Sequence, residues 1–593
     1  MAHLLGAESL HLEYPTRVVF DAVTLGVNEG DRIGIVGRNG DGKSTLLRLL
    51  AGVQEPDGGR VTHRGGVRVG LLDQADNHDP DATVAGLVVG SRPEHEWAGD
   101  PRIRDIIAGL VADLGWDAAY GSLSGGQRRR VALAALLVGE WDVLALDEPT
   151  NHLDVEGIAW LAEHLKARWG RTSGGLLVVT HDRWFLDEVC TATWEVHDQI
   201  VEPFEGGYAA YVLQRVERDR QAAATEARRQ NLMRKELAWL RRGAPARTAK
   251  PKFRIDAANQ LIEDVPPVRD RVELARLATA RLGKDVIDVL DASAGYGDLE
   301  VLHRVTWRLG PGERTGILGA NGSGKSTLLG LLAGTVPAQA GRVKRGKTVR
   351  LAVLDQQFTQ LADIADERVR DVLARTRTSF EVGGKELTPA QLLERLGFGR
   401  EHLAARVGEL SGGQKRRLQL LLVLLSEPNV LVLDEPTNDV DTDTLAALED
   451  LLDSWPGTLV VVSHDRYLIE RVTDNQYAIL DGRLRHVPGG VEEYLGLRHA
   501  AGASSSAAPA AAPSATAGEP TGAELRTLRK EVAAIERRIE RTQTAIGQLH
   551  TRIAAHDQAD YHGLGQLAAQ ADELTAELGE LEDRWLDLSE RAG

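Results

Sequence analysis

The sequence predicts an α/β fold made of two tandem copies of one domain, joined by an α-helical hairpin linker and followed by an antiparallel coiled coil. Three observations lead to this prediction. The same short motifs occur twice in the same order, at offsets of 282 to 287 residues. A stretch rich in Arg and Lys separates the two copies, and apolar residues at heptad spacing return near the C-terminus. We place the five segments at residues 1–207, 208–282, 283–499, 500–522 and 523–593.

The composition indicates several domains of ordinary size in a reducing compartment. The chain has 593 residues, of which 42% are apolar, so each domain can bury a core. A single cysteine, Cys190, excludes an intramolecular disulfide and a thiolate metal cluster. The apolar runs Val131–Val138 and Leu420–Leu425 are too short for a bilayer and we find no secretory signal, so we expect a cytoplasmic protein. A formal net charge of -17 argues against indiscriminate nucleic-acid binding.

The first copy opens with a phosphate-binding loop. Residues 31–36 form a short apolar run that predicts a buried strand, and a helix is predicted from Thr45 to Ala51. Between them stands a complete GxxxxGK[ST] motif, whose glycines let backbone N–H groups surround phosphate oxygens. Lys43 is expected to reach the β and γ oxygens, and Ser44 to bind Mg²⁺. The motif consists of Gly37, Arg38, Asn39, Gly40, Asp41, Gly42, Lys43 and Ser44.

Two later strands of the first copy end in polar residues. The run Val143–Leu146 leads into Asp147 and Glu148, and a strand at residues 176–180 leads into His181. Asp147 could hold Mg²⁺ and Glu148 could orient a water molecule. Taken alone, two acids after a strand are more simply explained as a solvated strand end, and a single histidine is usually structural.

The second copy repeats every one of these features, which identifies a tandem duplication. Lys325 follows Lys43 by 282 residues, and Asp434 follows Asp147 by 287. The second loop consists of Gly319, Ala320, Asn321, Gly322, Ser323, Gly324, Lys325 and Ser326, followed by Thr327. The second set of strand-end residues is Asp434, Glu435 and His464. A Leu-Ser-Gly-Gly-Gln run also occurs in both copies, at Leu123–Gln127 and Leu410–Gln414.

With these motifs the sequence resembles the ATP-binding cassette (ABC) family, whose signature motif is Leu-Ser-Gly-Gly-Gln. Two ABC-type P-loop ATPase domains on one chain, with Asp-Glu-Pro-Thr-Asn after both strands and a charged linker in place of membrane spans, are similar to the ABC-F branch. Within that branch the chain is most similar to the Uup group. This likeness rests on Trp239–Gly243 in the linker, Asn438–Asp441 in the second copy and the C-terminal coiled coil.

The resemblance implies two ATP sites, each formed between the phosphate-binding loop of one copy and the signature motif of the other. Glu148 and Glu435 would polarise the attacking water, and His181 and His464 would hold it with the γ-phosphate. The first site would combine Lys43, Ser44, Thr45, Gln74, Asp147, Glu148 and His181 with Ser411 and Gly413. The second would combine Lys325, Ser326, Thr327, Gln356, Asp434, Glu435 and His464 with Ser124 and Gly126. The Mg²⁺ ligands would be Ser44, Gln74 and Asp147 in the first site and Ser326, Gln356 and Asp434 in the second.

Two further features of these sites come with alternatives. Tyr14 and Tyr296 match the family's adenine-stacking aromatic residue, and ordinary core packing is the alternative. Asp41 stands where the second copy has Ser323, at a loop position that is usually small and uncharged. A carboxylate close to the triphosphate should weaken ATP binding unless its side chain points away or meets a cation. We therefore expect Asp41→Ala to tighten ATP binding at the first site.

The linker at residues 208–282 carries 17 Lys and Arg against 9 Asp and Glu. Its most basic part surrounds Gly243, Pro245 and Pro251, which predicts a turn between two long helices. The basic residues at this tip are Arg241, Arg242, Arg247, Lys250, Lys252 and Arg254. A solvated mixed-charge surface is one explanation. The ABC-F resemblance implies instead that the tip enters the ribosome and contacts tRNA and ribosomal RNA, with ATP-driven closure controlling that contact.

The C-terminal segment leaves a second function open. Residues 523–593 show heptad spacing on two predicted helices, of which the first is basic and the second acidic. The Uup resemblance associates this coiled coil with nucleic acid, and a structural or dimerising role is the alternative. The leading hypothesis is a monomeric ATPase acting on ribosomes in translation or ribosome assembly. A DNA-structure-binding ATPase acting through the coiled coil is the alternative, and the ATPase subunit of a membrane transporter is less favoured.

Overall fold

The computed structural model describes most of the two copies and the start of the linker. It describes residues 3–15, 17–74, 78–170, 172–218, 286–297, 299–354, 359–375, 380–382, 385–395, 398, 400–437, 440–505 and 538. The basic tip of the linker, Gln356 and the predicted coiled coil lie outside these ranges, so those predictions stay open. The chain divides at residue 502 into two units, and the first unit contains both copies, called here the first and second repeats.

The first repeat alternates strands and helices. Its strands are β1 (His3–Tyr14), β2 (Arg17–Asn28), β3 (Arg32–Gly37), β4 (Gly58–His63), β5 (Val69–Leu72), β6 (Val143–Asp147), β7 (Gly175–Val179), β8 (Ala192–His197) and β9 (Ile200–Glu205). Its helices are α1 (Lys43–Leu50), α2 (Val84–Val88), α3 (Glu94–Trp97), α4 (Pro101–Leu110), α5 (Gly125–Val138), α6 (Val155–Arg168) and α7 (Arg183–Val189). A linker helix then begins at residue 208 and is described to residue 218.

The second repeat follows a similar order, with an additional pair of short strands before its signature helix. Its strands are β10 (Ile287–Tyr296), β11 (Leu299–Leu309), β12 (Arg314–Leu318), β13 (Ala340–Arg345), β14 (Leu351–Leu354), β15 (Phe380–Val382), β16 (Lys385–Leu387), β17 (Val430–Asp434), β18 (Thr458–Val462), β19 (Asn475–Leu480) and β20 (Arg483–His486). Its helices are α8 (Lys325–Ala333), α9 (Thr359–Ala362), α10 (Val369–Ala374), α11 (Pro389–Arg395), α12 (Gly412–Leu425), α13 (Thr442–Ser454), α14 (Arg466–Val472) and α15 (Gly490–Ser505).

A central, mostly parallel sheet organises each repeat. Its strand order is β5-β6-β7-β3-β8-β9 in the first repeat and β14-β17-β18-β12-β19-β20 in the second. Strands β6, β7 and β18 are buried along their whole length, because layers cover both faces of a parallel sheet. One face packs on α1 and an antiparallel sheet of order β2-β1-β4, and the other face packs on the remaining helices. The predicted tandem α/β fold is confirmed.

The sheet order explains how distant motifs meet. Strands β6, β7 and β3 are parallel neighbours, so their carboxyl ends lie at one edge. The strand-end acids follow β6, the histidine follows β7 and the phosphate-binding loop follows β3. Ligands of open α/β sheets bind at this edge. The topology therefore brings the three predicted site segments together, and β17, β18 and β12 do the same in the second repeat.

The signature motif forms the start of a helix in both repeats. Ser124 is the N-cap of α5, and its hydroxyl accepts a hydrogen bond from the Gln127 N–H while the Gln127 side chain accepts from the Ser124 N–H. Ser411 and Gln414 form the same capping box at α12. A capping box satisfies two of the N–H groups that a helix start leaves without partners. The Ser-Gly-Gly-Gln sequence therefore presents a well-formed helix N-terminus at the surface of each repeat.

Candidate functional site

Both phosphate-binding loops curl around the ammonium group of their lysine. Lys43 Nζ donates hydrogen bonds to the carbonyl oxygens of Gly37 and Arg38, at 2.8 and 3.1 Å. Lys325 makes the equivalent bonds at 2.7 and 3.1 Å. Burial lowers the pKa of both lysines. A desolvated ammonium held by carbonyls at the mouth of a loop is suited to bind a phosphate oxygen.

The glycine before each lysine is required by the shape of the loop. Gly42 and Gly324 have φ of +104° and +103°, in the left-handed region that favours glycine. A Cβ on Gly42 would lie 2.6 Å from Val19, and one on Gly324 would lie 2.8 Å from Val301. The loop can therefore approach the antiparallel sheet only without a side chain at this position. This also explains why α1 begins at Lys43, two residues before the predicted start.

An aspartate and a serine provide oxygen atoms beside each loop. Asp147 is 1% exposed, and burial raises its pKa while a hydrogen bond from Ser44 opposes the rise. In the second repeat, Ser326 Oγ donates to Asp434 Oδ2 at 3.3 Å. Carboxylate and hydroxyl oxygens are the ligands that Mg²⁺ prefers. The residues present therefore fit a magnesium ion.

The two candidate bases share an uncommon backbone conformation. Glu148 and Glu435 have φ of +48° and +46°, although neither is glycine. Such strain in a non-glycine residue persists where the surroundings impose it, and it is frequent at functional sites. His181 Nε2 lies 3.4 Å from Glu148 Oε1, and His464 Nε2 lies 3.2 Å from Glu435 Oε1. The strained backbone thus brings each glutamate to its histidine.

Both histidines are neutral groups in this structure. Burial first, and then the nearby lysine, lower the pKa of His181 and of His464 to about 3. His181 Nε2 also lies 3.2 Å from Asn39 Oδ1, and His464 Nε2 lies 3.5 Å from Lys325 Nζ. A neutral imidazole between a loop and a carboxylate can hold a water molecule or a phosphate oxygen without adding charge.

The sequence analysis missed an arginine behind each strand-end aspartate. Arg129 on α5 donates to the backbone carbonyl of Asp147, and Arg416 on α12 donates to that of Asp434 at 2.8 Å. These bonds connect the signature helix of each repeat to its own strand end. The fifth residue after the signature serine is Arg in both copies, a repeat signal that could have identified the pair.

A cavity of about 790 Å³ lies between the two repeats at the second loop. It is lined by Asn321, Gly322, Gly324, Lys325, Ser326, Thr327, Asp434, Glu435 and His464 from the second repeat and by Ser124, Gly126 and Gln127 from the first. The predicted residues of the second site are thus brought together across the repeats, except Gln356, which lies outside the described ranges. This size suits a nucleotide, since ligand pockets are commonly 300–1,000 Å³.

Direct hydrogen bonds across the repeats support the same arrangement at both loops. Asn321 N–H donates to Asp154 Oδ2 at 2.9 Å, and its side-chain amide donates to the carbonyl of His152 at 3.0 Å. In the first site, Asn39 N–H lies 3.4 Å from Asp441 Oδ2. The sequence analysis did not include Asp154 and Asp441 among the site residues. Both are helix N-caps at the same repeat position, which was the available signal.

The remaining predicted site residues lie at an exposed strand end, at the start of α12 or outside the described ranges. Gln74 is exposed at the end of β5. Ser411 and Gly413 begin α12, and the second repeat reaches the first loop through Asp441. The basic residues of the linker tip lie outside the described ranges. Their roles stay predictions.

Neither candidate adenine-stacking tyrosine belongs to the core. Tyr14 is 42% exposed and Tyr296 is 60% exposed, and Tyr296 lies on the cavity of the second site. The Tyr14 hydroxyl accepts a hydrogen bond from Gln54 Nε2 at 3.2 Å. The core-packing interpretation is therefore wrong, and an exposed aromatic side chain suits stacking against a base.

Asp41 meets positive partners in the loop. Its Oδ2 accepts a hydrogen bond from Arg38 N–H at 3.3 Å. Burial raises the pKa of Asp41, while Lys43 and this N–H act in the opposite direction. The sequence analysis named a nearby cation as a condition that would lessen repulsion of the triphosphate, and the structure supplies it. We still expect Asp41 to weaken ATP binding at the first site, by a small factor.

Replacing Glu435 by Gln should stabilise the protein in a pH-dependent way. Burial raises the pKa of Glu435 from 4.5 to about 8, whereas the unfolded chain ionises near 4.5. The stability associated with the protonated form is therefore lost as the pH rises from about 4.5 to about 8. We expect Glu435→Gln to match the wild type in melting temperature near pH 5 and to exceed it by a few degrees at pH 8.5. The exposed Glu55→Gln is the control, and a constant difference across this range would contradict the explanation.

Comparison with known proteins agrees with this geometry. The chain matches the ABC transporter family at residues 20–151 and 302–438, a second ABC transporter profile at residues 194–275, and the ABC transporter C-terminal domain at residues 525–590. It is 36% identical to the uncharacterized ABC transporter ATP-binding protein YfmR of Bacillus subtilis, over 99% of this chain and 98% of that protein. It is 35% identical to the energy-dependent translational throttle protein EttA of Haemophilus influenzae, over 81% of this chain and 92% of that protein.

Solved structures show the same fold at lower sequence identity. An archaeal ribosome recycling factor, aABCE1, crystallised with a ribosomal stalk protein, aligns with a TM-score of 0.59 at 21% identity, over 82% of this chain and 92% of that one. A protein described as RNase-L inhibitor aligns with a TM-score of 0.58 at 21% identity, over 83% of this chain and 93% of that one. At this identity the likeness concerns the fold alone.

The sequence relatives, the fold and the two phosphate-binding loops all indicate the same family. None of the helices in the described ranges combines the length and the apolar character that crossing a membrane requires. The chain belongs to the ATP-binding cassette family, in the ABC-F branch, and is an ATP-binding tandem-cassette ATPase.

Proposed function

We propose that this ATPase acts on the ribosome, in translation or ribosome assembly, and that closure of its repeats on ATP controls how the linker tip meets RNA. The relatives named as translational throttle proteins, at 34–35% identity over about four fifths of the chain, support a role in translation. The observation that supports the mechanism is a small cavity lined by both the linker helix and the first phosphate-binding loop.

The linker helix is fixed to the first repeat by a buried carboxylate. Glu195 on β8 is 3% exposed, and its Oε1 accepts a hydrogen bond from the Tyr211 hydroxyl at 2.9 Å. Arg215 Nε lies 3.2 Å from the same oxygen, and Arg218 donates to Oε2 at 2.9 Å. Buried charge-assisted hydrogen bonds of this kind fix geometry. The described part of the linker therefore follows strand β8, the neighbour of the strand that ends in the loop.

The same region touches both the loop and the second repeat. A small cavity there is lined by Arg38 and Asp41 of the loop, by Tyr211 and Arg215 of the linker helix, and by Thr442 of the second repeat. A change in the loop or in the approach of the second repeat would therefore alter the walls of this cavity at the base of the linker. We infer that ATP-dependent closure reorients the linker through this junction, and that hydrolysis releases it.

The chemistry at each site follows from the side chains. Lys43 and Lys325 bind the phosphates, and the N-terminus of the opposite signature helix would supply further N–H donors to them. In its ionised form each of Glu148 and Glu435 accepts a proton from the attacking water, while His181 and His464 hold that water in line. Because burial raises the pKa of Glu435 to about 8, we expect hydrolysis at the second site to become faster as the pH rises toward 8. Ser44 with Asp147, and Ser326 with Asp434, would hold Mg²⁺, which would neutralise charge on the β and γ oxygens.

Recognition of RNA would fall to the basic tip. Its six Arg and Lys residues stand without an acidic neighbour between residues 237 and 255 in an otherwise acidic chain. Phosphate groups attract such a local cluster, while the net charge of -17 opposes binding elsewhere on the surface. We therefore propose tRNA or ribosomal RNA as the surface that the tip contacts.

Sedimentation of an ATP-trapped variant tests this proposal. Glu148→Gln combined with Glu435→Gln should slow hydrolysis and hold the repeats closed. With ATP, we expect this variant to co-migrate with ribosomes or their subunits in a lysate gradient, and to stay at the top with ADP. Co-migration should be lost when Ala replaces Arg241, Arg242, Lys250 and Lys252.

One control variant and one contradicting result complete this test. Removing two exposed arginines of β20, with Arg483→Ala and Arg485→Ala, should leave co-migration intact. If the trapped protein stayed at the top of the gradient or followed DNA, the ribosome proposal would be wrong. The segment at residues 523–593 would then become the one to study.

A further inference from the structure

The helices that follow the two candidate catalytic histidines meet between the repeats. Asp182 caps α7, and its Oδ1 accepts from Phe185 N–H at 2.9 Å. Asp465 caps α14, and its Oδ1 accepts from Leu468 N–H at 3.1 Å. Both aspartates directly follow a histidine in the sequence, so the backbone of each histidine continues into the interface between the repeats.

Arg183 crosses this interface and forms a buried ion pair. Its Nη2 donates to Asp465 Oδ2 at 2.9 Å and also pairs with Glu449. The three side chains are 6%, 8% and 1% exposed, respectively. Glu449 in turn pairs with Arg471 at 2.7 Å, within the second repeat. An arginine of the first repeat therefore completes a buried charge cluster in the second, where ion pairs are screened little by solvent.

The repeat counterpart of Arg183 forms a different set of contacts. Arg466 lies over the ring of Trp184 at 3.6 Å and pairs with Glu492, whose side chain is 83% exposed. The position of Glu449 is taken by Ala162 in the first repeat. Glu449 thus breaks the symmetry of the duplication, because it provides Arg183 with a buried anion that Arg466 lacks at the equivalent place.

We propose that Arg183 is a positioning residue that couples the two ATP sites in one preferred direction. Through Asp465 it fixes the start of α14 and with it the preceding residue, His464. Hydrolysis at the second site then depends on the contact with the first repeat. The first site depends less on the second by this route, because Arg466 contacts the first repeat through the uncharged ring of Trp184 and forms its ion pair within its own repeat, with an exposed partner.

Single-turnover hydrolysis, measured in two variants that each keep one active ATP site, reports on each site separately. With Glu148→Gln only the second site should hydrolyse bound ATP, and with Glu435→Gln only the first should. We expect Arg183→Met to slow the second site roughly tenfold and the first by less than about threefold. The ATP concentration at half-saturation should change by less than about twofold at either site. Equal slowing of both sites, or a loss of ATP binding without slowing, would overturn the proposal.

Two further variants keep the test informative if Arg183→Met is poorly folded. Glu449→Ala gives the second repeat the residue of the first and should slow the second site in the same direction by a smaller factor. Combined with Arg183→Met it should add little, since both changes remove one interaction. Arg183→Lys retains a cation near Asp465 and should restore part of the rate. Additive losses, or no rescue by Lys, would show that the arginine serves only the packing of the interface.

Discussion

Replacing Glu148 and Glu435 together by Gln should lower ATP turnover by a factor of about 10² to 10⁴, the usual contribution of a general base. Gln keeps the shape and the hydrogen-bonding capacity of the side chain but cannot take up the proton of the attacking water. Both glutamates end a buried strand, share a left-handed backbone and lie within 3.4 Å of the site histidine. The geometry therefore gives the two residues the same role.

Phosphate release at saturating ATP measures this effect. Each single variant should retain turnover at the unchanged site, and the double variant should lose it while still binding ATP. Its melting temperature should not fall, because Gln removes a buried ionisable group at position 435. Turnover of the double variant within about threefold of wild type would exclude these residues as the bases.

Sequence patterns predicted the parts of the sites that depend on local structure. A buried apolar run, a glycine loop and a helix form one continuous segment, so the loop at Lys43 was predictable from order and spacing alone. The duplication supported the assignment of the other site residues, because Lys325, Asp434 and His464 follow their counterparts in the first copy at matching offsets. The helix cap of Ser124 is formed within four consecutive residues and is therefore also a local pattern, although the run was recognised only as a repeated motif.

Contacts between distant parts of the chain were not predictable in this way. Asn39 and Asp441 are 402 residues apart, and Arg183 and Asp465 are 282 apart. The repeat position marks Asp441 as a helix N-cap, but neither pair has a local pattern that shows which residue of the other repeat the aspartate contacts. The orientation of Asp41 was also not predictable, because the position of the Arg38 N–H that donates to its carboxylate depends on the fold of the loop.

The most direct test of the paired-site architecture changes the signature motif of one repeat and measures hydrolysis at each ATP site separately. Ser124 belongs to the first repeat but lines the cavity around Lys325 of the second. Ser124→Arg should remove the helix cap and place a bulky cation where the signature helix faces the phosphates. Ser411→Arg is the matched change in the other repeat.

In single-turnover hydrolysis, we expect each change in a signature motif to slow the ATP site of the other repeat. Ser124→Arg should slow the second site, measured in the Glu148→Gln background, by more than about tenfold and leave most of the rate of the first site, measured with Glu435→Gln. Ser411→Arg should give the reverse. If Ser124→Arg instead silenced the first site and spared the second, each signature motif would serve its own repeat, and the head-to-tail arrangement of the two ATP sites would be wrong.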